Sequence, residues 1–394
     1  MHDHTRAEEH IERAVALDLY DTVLHHMRGM NFRQQAYEMI GGNTPLEEVV
    51  WVAKLSSEAF VRARELNPDN EHAYISEVQL LARVLDYAGR QHKDGVHGYL
   101  ADRIADPFLR DCLERAEDLL ETVRRNREGQ GPSTFEEDCR AKLDALYGHY
   151  DRALDIWDGL INRQDVYAPP LRRQIVWTYL ARRGRAWDSV PAAEVDRMVS
   201  LLEQNIRVEP DRDTNLRLWV RAVRRSSVPP SIEAVIERIM YWRLNAINAL
   251  EAVFYLNAFH VLQALEGSLL ARESALRLLQ ESQALSRLRR NRTNSLEWLG
   301  TGRGICRLVH YSQLDEWRRD KEFWEKTTPL ERMGGRIEKI AGPQSGRIEV
   351  QGGLPAFFVP ARGGYSQGRS ENQLVTFFLG FSYDGLRAWD VREA

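Results

Sequence analysis

The chain has only three cysteines in 394 residues, Cys112, Cys139 and Cys306, far apart and without a CxxC pair. So few, so spaced, they argue against a disulfide framework and for a reducing compartment. The opening residues, MHDHTRAEEHIERA, are charged and lack the apolar centre of a secretory signal. No apolar run reaches the roughly 20 residues of a membrane span. The longest candidate, residues 246–265, is broken by Asn248, Glu251, Asn257, His260 and Gln263. A net charge of −4 supplies no global field toward nucleic acid or a lipid surface, so any such contact needs a local basic patch. A cytoplasmic protein that does not contact membranes is the expectation.

Signatures of chemistry are equally scarce. His25 and His26 are adjacent and cannot form a helical metal pair, and no Cys–His spacing suits zinc. No Ser-His-Asp, Cys-His or paired-carboxylate arrangement has local support, so neither an enzyme nor a bound cofactor is expected. Gly300-Thr301-Gly302-Arg303-Gly304 suggests a phosphate loop, with backbone N–H groups meeting an anion at a following helix. It lacks the full GxGxxG or GxxxxGK[ST] pattern and a preceding strand. A turn capping two helices is the simpler reading.

What is present divides sharply by composition. Up to about residue 330 the pattern is helical. Glu8 to about Ile40 forms a helix that Gly41-Gly42 stops, and Thr44-Pro45-Leu46-Glu47 starts the next with a capping threonine, a proline at the first position and a capping box. Thr134-Phe135-Glu136-Glu137 marks a further start, and residues 124–132, 167–170 and 226–231 are breaks. Three helices follow at 231–244, 248–266 and 269–288. The middle one is apolar nearly all round, which places it at the centre of its domain. Residues 295–314 suggest a turn and another helix, and residues 317–326 a charged, aromatic helical linker.

Eleven of the 26 glycines then crowd into residues 334–385. Strand patterns at 336–340, 347–350, 356–359, 374–381 and 387–392 alternate with them. Five short strands in so small a module require a closed barrel, since an open sheet would leave exposed edges. The expected organisation is therefore N-terminal helical repeats over 1–130, a second helical region over 131–330, and a β module over 331–394.

Three resemblances refine this. Ala63–Asn70, Gly148–Trp157 and Ile206–Asp211 are similar to parts of tetratricopeptide repeats, whose helical hairpins stack into a solenoid because each buries the apolar face of the next. They do not share one 34-residue period, so the array is degenerate. The order Gly335–Glu338, Gly346–Val350, Phe357–Pro360, Gln373–Phe377 and Asp384–Val391 resembles an OB-fold of cold-shock type. Such barrels present aromatics to single-stranded bases. Here Arg347-Ile348-Glu349 stands where they carry aromatic residues. Leu250–Leu256, Leu262–Ser268 and Glu297–Ile305, preceding a terminal OB-fold, resemble the C-terminal half of the sterile-alpha-motif-containing antiviral proteins of animals and their bacterial STAND-type relatives. That resemblance implies a recognition or regulatory arm acting with a P-loop NTPase and effector. The chain itself contains no Walker A motif.

The candidate contact residues, for nucleic acid or a protein partner, are Arg347, Phe357, Phe358, Arg362, Tyr365 and Arg369 on the barrel, and the basic run Arg287, Arg289, Arg290 and Arg292. The run also sits at a helix end, where positive charge complements the helix dipole. Of the Phe357-Phe358 pair, one ring is expected inside the barrel and one outside. Trp298, Trp389 and His260 are expected in the core. Arg182, Arg183 and Arg185, with Arg221, Arg224 and Arg225, form lesser basic groups.

Overall fold

The computed structural model describes residues 3–92, 94–102, 105–289, 291–314 and 329–394. The chain falls into two compact units, residues 1–178 and 179–394. Helices dominate, followed by a small five-stranded barrel of OB-fold topology. Among the described residues no helix is long and apolar enough to cross a membrane.

The first unit holds α1 (His4–Leu17), α2 (Thr22–Gly41), α3 (Leu46–Leu66), α4 (Glu71–Gln91), the short α5 (Gly95–Ala101) and α6 (Pro107–Arg110), α7 (Cys112–Asn126), α8 (Thr134–Leu146) and α9 (Tyr150–Ile161). α10 (Ala168–Arg182) spans the division. The single N-terminal helix expected from periodicity is two helices. Asp18–Asp21 separate them, and the Asp21 carboxylate caps α2 by accepting from the Val23 and Leu24 N–H groups. Two expected start signals shift by one residue. Pro45, not Thr44, is the N-cap of α3, and Ser133 caps α8 by accepting from the Glu136 N–H. α4 is the centre of this unit, buried from Ala73 to Gly89 on most of its surface by α3, α7 and α8. Its buried Glu77 is held by Arg64, Arg115 and the Ser57 hydroxyl. Cys112 and Cys139 lie in the same core, and burial pushes both thiols up to about 12, which makes them inert as nucleophiles.

The second unit holds α11 (Ala192–Val208), α12 (Asp213–Val223), α13 (Ile232–Asn245), α14 (Leu250–Leu265) and α15 (Leu269–Leu285). The last three fall where the sequence places them. α14 is buried at every position but His260 and Gln263 and packs against α12, α13 and α15. His260 is half-buried, at the edge of the core.

Residues 295–314 do not form a helix. They form a β-hairpin, β1 (Glu297–Leu299) and β2 (Leu308–His310), around a four-residue 3-10 turn at Gly304–Arg307. The glycine-rich stretch at 300–304 is thus the tip of a hairpin and caps no α-helix. The expected linker at 317–326 lies outside the described residues.

The barrel strands are β3 (Arg332–Gly342), β4 (Ser345–Val350), β5 (Leu354–Phe358), β6 (Leu374–Ser382) and β7 (Gly385–Glu393). β3 pairs with β4 and β4 with β5, β5 runs parallel to β7, and β6 closes the ring against both β7 and β3. Alternation fills the interior with Ile337, Ile348, Val350, Ala356, Phe358, Val375 and Phe377. Gly346 faces inward opposite Phe358, where a Cβ would lie 2.3 Å from the ring, so only glycine lets that ring fill the barrel. β1 adds to the outside of β6 through Glu297–Phe381 and Trp298–Gly380. This gives a second small core of Trp298, Val309, Leu314, Leu330 and Phe378 on the barrel's outer surface. Trp389, expected inside, is half-buried against Trp298.

Candidate functional site

Register places four outward side chains in one row across the barrel. Lys339 of β3 pairs with Arg347 of β4, Arg347 with Phe357 of β5, and Phe357 with Arg387 of β7. Directly paired residues share a face, so the row is three cations and one aromatic ring on neighbouring strands. Phe358 points inward and is buried; Phe357 points outward and is half-exposed, with the Arg387 guanidinium 4.8 Å from its ring centre. The row borders a groove of about 410 Å³ walled by Leu279 and Gln283 of α15 and by the β6–β7 turn at Asp384–Leu386. Gln283 donates to the Asp384 carbonyl at 2.9 Å, fixing that wall.

The row is only partly neutralised. Arg347 pairs with Glu338 at 2.8 Å, but both side chains are about half exposed, and such pairs contribute little. Arg387 lies 3.9 Å from Asp384, which also faces Arg292 at 3.9 Å. Burial lowers the Arg387 guanidinium from its ordinary value, with Asp384 opposing. Lys339 has no partner among the described residues. An anionic strand laid along this row meets three cations and a ring on which a base can stack.

Of the other sequence-selected residues, Arg362 covers Trp389 at 5.6 Å, and Tyr365 meets Phe358 edge-on at 6.0 Å. These two and the exposed Arg369 do not line the groove. Arg287 is exposed, Arg290 lies outside the described residues, and Arg292 reaches the groove's rim through Asp384. Arg289 turns inward: it pairs with Asp213 at 3.3 Å and lies over Tyr383 at 5.3 Å. Lys339 and Arg387 were not evident from the sequence. They join the row only through the register of β3 with β4 and the parallel pairing of β5 with β7.

A second arrangement anchors the barrel to the helices of its own unit. Arg224, at the end of α12, donates two hydrogen bonds to Glu297 of β1, at 2.8 and 2.9 Å, and a third to the Leu308 carbonyl. Both side chains are almost fully buried. Tyr255 of α14 donates to the same carboxylate at 3.1 Å. One helical step away, Glu251 of α14 accepts from Arg217 of α12 and from the Tyr383 hydroxyl in the β6–β7 turn. Burial raises the Tyr255 and Tyr383 hydroxyls far above their ordinary value, so both stay protonated and donate. Arg224 is therefore a structural cation and offers nothing to a ligand. Glu251 and Glu297 are carboxylates inside apolar segments, a signal of buried pairing visible in sequence but not identifiable there without their partners.

The first unit carries a different groove, of about 520 Å³, lined by Lys54, Ser57, Val61, Arg62, Phe108 and Arg115. Among the described residues no group of three or more histidines, cysteines or carboxylates is placed to hold a metal ion. No protein-family model and no curated protein matches the chain.

Two predictions follow from the buried charges. Arg224→Met strands Glu297 without a cation and should cost about 3–5 kcal/mol, whereas Arg224→Met combined with Glu297→Gln should recover most of that loss in urea unfolding. Equal instability of the single and double variants would show that the pair is not the anchor. Asp213 is raised from 3.8 to about 6, first by burial and then by nearby Glu251. Between those values the folded chain holds a proton that the unfolded chain has released, so stability falls as pH rises from about 4 to 6. Asp213→Asn should abolish that fall, and the wild-type minus variant difference should shrink with rising pH by at most about 3 kcal/mol. A pH-independent difference would refute the assignment.

Proposed function

We propose that this chain is a non-catalytic recognition and regulatory module of an antiviral STAND-type NTPase system. Its helical units take a protein partner, and its barrel takes an invader ligand, for which single-stranded nucleic acid is the best chemical match. The observation that carries the reading is the row Lys339–Arg347–Phe357–Arg387 beside an open groove, on a barrel tied to its helices by buried ion pairs. The three cations suit backbone phosphates, and Phe357 supplies an aromatic surface among them. The rigid tie means that a ligand on the row is felt by α12, α14 and α15. The antiviral setting and the P-loop partner come from the sequence resemblance of residues 246–305. The charged, partly apolar groove in the first unit suits a partner segment.

A second reading is a stand-alone single-strand or RNA-binding protein of OB type. The same row favours it, because the row needs no partner to bind.

Fluorescence anisotropy with a short labelled single strand tests the barrel. The full chain should bind at low salt, and log affinity against log salt should have a slope of about −2, from about three phosphate contacts. Phe357→Ala should weaken binding by about 1–3 kcal/mol. Absence of binding at low salt would remove nucleic acid from both readings. The two readings part on the partner: under the first, a P-loop NTPase encoded beside this chain should co-purify with it, and under the second the chain should purify alone.

A further inference from the structure

α12 carries Arg217 and Arg221, and Arg224 and Arg225 follow directly on its last residue. Arg217 is paired with Glu251 and Arg224 with Glu297. Arg225 donates to Asp188 at 2.7 Å, but the Asp188 side chain is 76 % exposed, so that pair is weak. Arg221 has no carboxylate partner among the described residues. One of its terminal nitrogens donates to the Ser312 hydroxyl, and its buried Nε–H has no acceptor. Glu297, the carboxylate in electrostatic range, is already engaged by Arg224 and Tyr255.

We propose that Arg221 and Arg225 form a binding site for a phosphate-type oxyanion beside the Trp187 indole. The two guanidinium carbons lie 5.0 and 5.7 Å from the centre of that one ring, and Arg225 also donates to the Arg221 carbonyl at 2.9 Å, so the two residues are neighbours beside it. Trp187 is buried and holds them as a platform. Arg221, Arg225, Tyr311 and Ser312 are each half-buried, so the cluster lies at the margin of the core and not at its centre. Ser312 acts as a positioning residue. Its N–H donates to His310 Nδ1 at 3.2 Å, its hydroxyl lies 2.9 Å from the same nitrogen, and the hydroxyl oxygen accepts from Arg221. An accepting Nδ1 means a neutral imidazole.

The electrostatics agree with the geometry. Burial lowers the Arg221 guanidinium to about 10, with Arg224 and Arg225 adding repulsion against the pull of Tyr255 and Glu297. His310 sits well below its ordinary value, through burial and then the positive charge of Arg221, Arg224, Arg217 and Arg225. In both groups burial is the leading cause, and the neighbouring arginines act in the same direction. A buried cation without a counter-charge is costly, and a bound oxyanion with charge-assisted hydrogen bonds offsets that cost. This site is separate from the barrel groove, and its existence does not depend on the proposed function.

Isothermal titration calorimetry on the full chain tests it, with inorganic phosphate and with ADP as probes at constant ionic strength. The wild type should bind at least one probe. Arg221→Gln should weaken that binding about tenfold or more, and Arg225→Gln about three- to tenfold. Tighter binding of ADP assigns the oxyanion to a nucleotide, and equal binding assigns it to free phosphate. Ser312→Ala keeps every charge, so it serves if Arg221→Gln fails to fold. It should weaken the phosphate interaction while leaving circular dichroism unchanged. No heat with either probe, or equal affinities of the wild type and these variants, would overturn the proposal.

Discussion

The second unit depends on one constraint: Arg224 and Glu297 must be buried together or not at all. Neither charge reaches water, and each alone would cost several kcal/mol in a medium of low dielectric. Glu297 belongs to a three-residue strand that leans on the barrel, and Arg224 to the end of a helix. Satisfying the pair therefore fixes the hairpin of β1 and β2 against both. The neighbouring set of Glu251, Arg217 and Tyr383 repeats the device one helical step along α14 and ties in the β6–β7 turn. α15 completes the seating through Ser282 and Gln283, which donate to carbonyls of that turn. The α15 wall of the groove beside Phe357 is thus held by the same turn that the ion network grips.

This coupling gives the barrel's outer row its physical interest. A row of cations on an isolated small barrel would be a solvated surface. Here its far end, Arg387, lies beside a turn whose tyrosine contacts a buried carboxylate between two helices. The row thus ends beside a network of buried, charged hydrogen bonds, where an unpaired polar group is costly.

Much of the fold was legible because hydrophobic periodicity and glycine placement are local signals. α13, α14, α15 and all five barrel strands fall within a few residues of their sequence patterns. The inward Phe358 and outward Phe357 follow from simple alternation. The misses have local causes too. Glu297-Trp298-Leu299 is too short to show a strand period, and its extended form is imposed by pairing with Phe381 and Gly380. Asp21 lies inside a stretch that looks continuously helical, and only its cap on Val23 and Leu24 reveals the break. The candidate site was half visible. Arg347 and Phe357 could be chosen by residue type, but Lys339 and Arg387 become neighbours through strand register. Arg289 and Arg224 looked like surface charge until their carboxylate partners, half-buried Asp213 and buried Glu297, appeared across long stretches of chain.

The parallel pairing of β5 with β7 has a consequence for how the molecule breathes. Every other strand contact in the barrel joins antiparallel strands, whereas this seam rests on Ala356–Leu386 and Phe357–Arg387 alone. It is the shortest ladder in the ring, and local opening draws on such low-stability elements first. Along this edge β5 is bridged at only two residues, whereas its other edge is paired with β4 from Leu354 to Phe358. The ring would loosen at the strand that carries Phe357, while Glu297 and Arg224 keep the opposite wall in place.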